Sequence, residues 1–250
     1  MIFCAGLGTR LKPLTDSMPK ALVPLAGKPL LQWQVERLRD AGITDIIVNV
    51  HHFPDMIIDA VHRNNGWGAN ITISDERDQL LDTGGGLKKA LNQSTITNHQ
   101  SPILACNVDI LSNLDLRALI EYYQSPITNY QSPMSLLVVS KRETQRYLCF
   151  DEQDQLCGWT NIATGELKGK DGRHLAFSGC QVLSPDALAC LAQMKEEKFS
   201  LIDFYLRIIQ SPMTNDQSPI LKAFVPKDYK MMDVGKIDQI AEAERFAEGL

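Results

Sequence analysis

Ile2-Phe3-Cys4-Ala5-Gly6-Leu7-Gly8-Thr9-Arg10-Leu11-Lys12-Pro13-Leu14-Thr15-Asp16-Ser17-Met18-Pro19-Lys20-Ala21-Leu22-Val23-Pro24-Leu25-Ala26-Gly27-Lys28-Pro29-Leu30 is a short apolar run that breaks into two glycines and then a proline-punctuated loop. The apolar residues at 2–5 predict a strand. Gly6 and Gly8 permit a tight turn whose backbone N–H groups face outward, and the prolines keep the following residues out of a helix or ladder. From Pro29 onward, Leu31, Val35 and Leu38 share one helical face, and Gly42 stands where a helix cap belongs. Residues 46–50 are β-branched and uncharged, as a strand buried on both faces requires, and 54–61 read as a helix.

The alternation continues down the chain. Residues 70–74 read as a strand, 84–92 as a helix and 103–108 as a buried strand; Leu116, Leu119, Ile120 and Tyr123 mark a helix face, and 135–140 a further strand. This pattern predicts an α/β fold: a doubly wound, mostly parallel, Rossmann-like sheet with helices on both faces and ligands at the carboxyl ends of its strands. Beyond about residue 145 the texture becomes α+β. A hairpin is expected across 147–150 and 156–159, an apolar run over 175–183, helices from Pro185 and over 201–209, a strand near 220–225 and a closing helix from Ile237. One domain over 1–250 is expected, in two parts, 1–140 and 141–250.

Three near-copies of one phrase, Thr-Asn-x-Gln-Ser-Pro, recur within residues 96–103, 124–134 and 210–220. Their spacing is irregular, so they do not build a solenoid. Each falls between an expected helix and the next strand, where surface loops lengthen at little entropic cost.

Composition narrows the function classes. The 250 residues are 44% hydrophobic, enough for a large core, and the net charge of −5 supplies no field to gather nucleic acid or anionic lipid. Small molecules or other copies of the chain are the expected partners, with no nucleic acid and no membrane, and a homo-oligomer is compatible with this. The six cysteines form no C-x-x-C pair, and several lie inside apolar runs, so they read as reduced buried thiols. The apolar start is too short for a signal-peptide core, and a cytoplasmic setting is expected.

The loop after the first strand is neither a dinucleotide turn, which needs a third glycine, nor a P-loop, which needs Gly-Lys-Ser/Thr. A dehydrogenase would also end its second strand on an acid, and this chain does not. The whole run from Gly6 to Leu30 instead resembles the signature of the sugar-1-phosphate nucleotidyltransferase family. Further stretches resemble that family in order: Leu81-Asp82-Thr83-Gly84-Gly85-Gly86, Asn107-Val108-Asp109, Phe177-Ser178-Gly179 and Met232-Asp233-Val234-Gly235. Within the family, the Thr-Gly-Gly-Gly form and the ending Ala241-Glu242-Ala243-Glu244 are most similar to N-acetylmuramate-1-phosphate uridylyltransferases, then to mannose-1-phosphate guanylyltransferases.

The resemblance implies a Mg²⁺-dependent enzyme that joins a nucleoside triphosphate to a sugar 1-phosphate and releases pyrophosphate by direct in-line attack. It implies nucleotide contacts from Ala5, Gly6, Gly8, Thr9, Arg10, Asp82, Gly84 and Gly85, catalytic roles for Arg10, Lys20 and Asp109, and metal ligation by Asp109 and Asp233. It implies sugar-phosphate contacts from Lys20, Asn161, Glu166 and Gly179, and so a nucleotide-binding part over 1–140 and a sugar-phosphate-binding part over 141–250. The chemistry asks for such groups independently: nucleotidyl transfer needs positioning and charge neutralisation, and Mg²⁺ takes hard oxygens from one or two carboxylates. Each residue also has an ordinary reading: Asp109 as a loop cap, Lys20 as a solvated lysine, the glycines as turn formers. His51 and His52 read as loop residues, because a sugar phosphate is already anionic and needs no general base.

The chain departs from the family pattern at Val108, where glycine is common, and at Gly158-Trp159-Thr160-Asn161, where the usual Glu-Lys-Pro is absent. It also has fewer residues before the glycine turn. An alternative reading is a catalytically weak or regulatory homologue that binds nucleotide or sugar phosphate without turnover.

Overall fold

The computed structural model describes residues 1–93, 101–125, 133–210 and 219–250. In chain order the elements are β1 (Ile2–Phe3), β2 (Pro24–Leu25), β3 (Lys28–Pro29), α1 (Leu30–Asp40), β4 (Asp45–Val50), α2 (Pro54–Arg63), β5 (Asn70–Asp75), α3 (Asp82–Gln93), β6 (Ile103–Asn107), β7 (Ile110–Ser112) and α4 (Leu116–Gln124). There follow β8 (Ser135–Ser140), β9 (Arg146–Phe150), β10 (Leu156–Asn161), β11 (Glu166–Gly169), β12 (Arg173–Leu183), α5 (Pro185–Ala192), α6 (Leu201–Gln210), β13 (Leu221–Phe224), β14 (Met231–Asp233) and α7 (Ile240–Ala247).

The expected doubly wound α/β architecture is present. β5, β4, β1 and β6 lie side by side in parallel, and β12, β9, β10 and β11 extend the same sheet antiparallel; β8 pairs with β12 and, in parallel, with β13. Period-two alternation divides the strand residues between two cores. Ile2, Val48, Cys106 and Val138 pack under α1, α2, α4 and α7, whereas Phe3, Ile47, Ala105 and Val139 pack under α3, α5 and α6. β1 runs to β4 and β5 on one side and to β6 on the other. The chain reversal therefore sits at its carboxyl end, the place where ligands gather in such sheets.

The strand expected over 2–5 ends at Phe3. Beyond it the Cys4 N–H donates to the Asn49 side-chain oxygen at 2.8 Å instead of continuing the ladder. α1 ends as anticipated: Gly42 takes a left-handed φ of 91°, its N–H bonds Arg39 O, and Ile43 N–H bonds Leu38 O. Helix α3 begins at Asp82, two residues ahead of the expected 84. The closing helix starts at Ile240 after a 3₁₀ turn, Ile237–Gln239. Two ribbons were not anticipated, β2 with β3 and β7 with β14. Each repeated phrase does fall between a helix and the following strand, α3 to β6, α4 to β8 and α6 to β13. Residues 94–100, 126–132 and 211–218, which carry most of them, lie outside the described residues.

No helix among the described residues is long and apolar enough to cross a membrane. None of the six cysteines is in a disulfide, and four are buried.

Candidate active site

The residues after β1 fold into a loop fastened by its apolar side chains. Leu11, Ala21, Val23 and Leu25 are fully buried in the α1-side core, while Gly6, Thr9 and Arg10 remain exposed. Gly8 is left-handed at φ 65°, and its carbonyl accepts from Leu11 N–H and from the Thr15 hydroxyl, both at 2.8 Å. A β-carbon there would stand 2.8 Å from Thr15 Cγ2, so the turn requires glycine. A β-carbon at Gly6 would meet nothing within 4 Å, which leaves the backbone open to whatever enters.

The two acids come from opposite ends of the chain. Asp109 follows β6, and the short β7–β14 ribbon sets Asp233 opposite Ile110; Val234 N–H then donates to Asp109 O at 2.8 Å. The Lys20 ammonium bonds the Asp109 carboxylate in a nearly buried ion pair. Arg10 Nη2 lies 3.8 Å from Asp233 Oδ2. Burial first, and then the Asp109 charge, push the Asp233 carboxyl above its ordinary value, against the pull of Lys20, Arg10 and Arg142. Asp233 Oδ1 is buried and has no hydrogen-bond partner. Gly235 makes room for the group: a β-carbon there would sit 2.6 Å from Asp233 Oδ1 and 2.7 Å from Arg10 Nη2.

These residues border two cavities that have Arg10 in common. The first, of about 480 Å³, is lined by Ala5, Gly6, Gly8, Thr9, Arg10, Lys20, Asp82 and Asp109, together with Asn49, Thr83, Asn107 and Lys198. The second, of about 1040 Å³, shares Arg10 and is bordered by Asp233, Arg142, Arg146, Tyr147, Trp159, Lys168 and Lys236. Arg142 donates to Phe177 O at 3.1 Å, and the Lys168 ammonium lies 5.3 Å from the Trp159 ring centre.

Other anticipated residues lie elsewhere. Gly84 and Gly85 are buried outside the cleft lining, and both N–H groups donate to Phe199 O at 2.9 and 3.1 Å. A β-carbon on either would overlap residues 197–199, so these glycines let the start of α3 pack against that segment. Asn161 and Glu166 face each other at the end of the β10–β11 hairpin and line neither cavity. Gly179, left-handed at φ 68°, sits at a register break in β12, under Asn107 and Ile110. The Val108 side chain packs in the core at 4% exposure, and the residue lines the first cavity beside Asp109. His51 and His52 make ring-nitrogen contacts to the carbonyls of Glu76 and Thr15.

Asn49, Lys198 and Arg142 were not singled out in the sequence, and Thr83 and Asn107 only as members of the quoted stretches. Asn49 did carry a signal, as the lone polar residue in Ile46-Ile47-Val48-Asn49-Val50. Lys198 lies in an ordinary charged run and carried none.

The description "Nucleotidyl transferase" belongs to the family model that matches residues 1–249. The chain belongs to this family. It is 30% identical over 213 residues to N-acetylmuramate alpha-1-phosphate uridylyltransferase of Caulobacter vibrioides, covering 83% of each chain. It is also 36% identical over 126 residues to mannose-1-phosphate guanyltransferase 2 of Candida glabrata, covering 50% of this chain and 34% of that one. A solved putative glucose-1-phosphate thymidylyltransferase from Bacillus anthracis, in complex with sucrose, has the same fold, with a TM-score of 0.78 at 14% identity over 100% of this chain and 94% of that one. The family expected from the sequence is thus the one found, and its relatives are sugar-1-phosphate nucleotidyltransferases.

The two kinds of glycine separate by substitution. Gly85→Ala overlaps the Glu197 carbonyl and lowers stability by about 1–3 kcal/mol, whereas Gly6→Ala stays within about 0.5 kcal/mol of wild type. Urea denaturation monitored by circular dichroism measures both.

Proposed function

We propose that the first cavity binds a nucleoside triphosphate with Mg²⁺ and that the second presents a sugar 1-phosphate, giving a nucleotide sugar and pyrophosphate. The observation that carries this reading is the convergence of Arg10, Lys20, Asp109 and Asp233 at the junction of the two cavities. A single phosphate pocket needs the cations alone. Two acids placed together, one with a buried unpartnered oxygen, are the hard donor set that Mg²⁺ takes, and Asp109 and Asp233 are the residues that would hold it. When bound, the ion supplies neutralisation of phosphate charge.

The remaining steps belong to the chain itself. The cavity-lining backbone of Ala5, Gly6 and Gly8 receives the phosphates, and the Arg10 guanidinium steadies the departing pyrophosphate. Lys20 neutralises charge on the α-phosphate and the incoming sugar phosphate. A sugar-phosphate oxygen attacks the α-phosphorus in line, the bond to the pyrophosphate oxygen breaks, and no covalent enzyme intermediate forms. Asp82 and Thr83, at the start of α3, face the base, and the relatives favour uridine or guanosine. Residues 1–140 thus serve mainly the nucleotide and 141–250 the sugar.

Arg142, Arg146 and Lys168 give the sugar cavity an anion-binding wall, with Tyr147 and Trp159 as apolar faces for the ring. Of the sugar-phosphate residues implied by resemblance, Lys20 lines the nucleotide cleft, and Asn161, Glu166 and Gly179 act from outside both cavities, through the hairpin and strand that frame them. Small soluble substrates and the absence of a spanning helix among the described residues fit a cytoplasmic reaction.

With Mg²⁺ present, the purified protein releases pyrophosphate only when both a nucleoside triphosphate and a sugar 1-phosphate are supplied; a coupled phosphate assay reads this. Asp109→Asn lowers kcat by roughly 10²–10³ with the fold retained, the usual cost of one electrostatic group at a reacting centre. No release across four triphosphates and a panel of sugar phosphates would instead mark a binding protein without turnover. In the same assay, Arg142→Ala raises KM for the sugar 1-phosphate roughly tenfold, the loss of one charge-assisted hydrogen bond, and changes KM for the triphosphate little.

A further inference from the structure

Glu76 has no part in the chemistry above, yet it is the one buried carboxylate among the described residues, with 0% exposure. Burying a charged group is costly unless every lone pair is used, so its hydrogen bonds are informative. Oε1 accepts from Asn49 Nδ2 at 2.7 Å and Oε2 accepts from Leu81 N–H at 3.3 Å. The far side of the Asn49 amide accepts Cys4 N–H at 2.8 Å. Helix α3 leaves space for the arrangement at Gly86, where a β-carbon would stand 2.5 Å from Glu76 Oε1 and 3.0 Å from Asn49 Nδ2.

The chain of contacts runs between the two walls of the first cavity. Cys4 immediately precedes Ala5 and Gly6, the phosphate-facing turn, and Leu81 sits between Leu80 and Asp82 on the opposite wall. β1 is too short to fix that turn by ladder pairing, since its strand ends at Phe3. A side-chain amide does so instead, and the amide is itself oriented by the carboxylate that holds the other wall. Both Glu76 oxygens accept and neither needs to donate, the pattern of an ionised acid. Glutamine, of the same size, has one acceptor and one donor. Its NH₂ would face either the Leu81 N–H or the Asn49 NH₂, so it can hold one wall and not both.

We infer that Glu76 is a positioning residue that sets the gap between the phosphate turn and the residue 80–83 wall, and thereby the affinity for the nucleoside triphosphate but not for the sugar phosphate. The inference rests on the proposed assignment of the first cavity to the nucleotide.

The test is steady-state kinetics of full-length protein with Mg²⁺, varying each substrate in turn. Glu76→Gln raises KM for the triphosphate by tenfold or more, while KM for the sugar 1-phosphate and kcat stay within about twofold. The double variant Asn49→Asp/Glu76→Gln rebuilds the relay: the introduced amide donates to the introduced carboxylate, its oxygen accepts from Leu81 N–H, and the carboxylate accepts from Cys4 N–H. That variant recovers most of the lost triphosphate affinity, which a residue serving only stability would not predict. Equal changes in both KM values, or a lowered melting temperature with unchanged KM for the triphosphate, would overturn the inference. If Glu76→Gln does not fold, the double variant decides: near-normal triphosphate KM supports the relay, and a tenfold rise in a folded double variant refutes it. Wild-type protein that releases no pyrophosphate would instead count against the proposed function.

Discussion

Two carboxylates that repel each other occupy one half-buried place, and most of the surrounding structure is arranged to keep them there. Asp109 and Asp233 are held by backbone: the β7–β14 ribbon and the Val234 N–H to Asp109 O bond leave them no freedom to separate. Burial, and then the charge of Asp109, raise the Asp233 carboxyl above its ordinary value, and the arrangement is tolerable only with cations close by. Lys20 and Arg10 provide these from the loop after β1. The loop can deliver them because Leu11, Ala21, Val23 and Leu25 anchor it in the core after the exposed turn, Leu11 and Ala21 on either side of Lys20. Its apolar residues thus fix its path, and its cations face the acids.

The parallel half of the fold was largely legible because doubly buried strands are short uncharged apolar runs and the helices between them show a clear 3.6-residue period. α1 shows this well, with Leu31, Val35 and Leu38 inward and Gly42 terminating it. What escaped the sequence depended on distant partners. β1 stops early because the Asn49 amide, 45 residues away, takes the Cys4 N–H in place of a ladder bond. The three-residue strands β7 and β14 have too little length for any periodicity, and only their pairing across the fold makes them strands.

The candidate site divides along the same line. Arg10, Lys20, Asp109 and Asp233 could be named because they lie in stretches that resemble the family's signature, and the fold brings them together. Gly84 and Gly85 look in sequence like base-facing glycines, and the packing gives them a steric role of their own: any side chain would strike residues 197–199. The second cavity draws Arg142 from the loop after β8, Arg146 and Tyr147 from β9, Trp159 from β10 and Lys168 from β11, and no local pattern joins them. Family membership is therefore readable from a loop, whereas the second cavity is lined by side chains that meet only after folding.

Binding of a paramagnetic divalent ion tests the central juxtaposition most directly. Electron paramagnetic resonance of Mn²⁺ titrated with protein in the presence of a nucleoside triphosphate should show one protein-bound ion per chain, lost in Asp109→Asn and in Asp233→Asn alike, with both variants folded. Retention of the bound-ion signal in either variant would contradict the claim that the two acids share one ion.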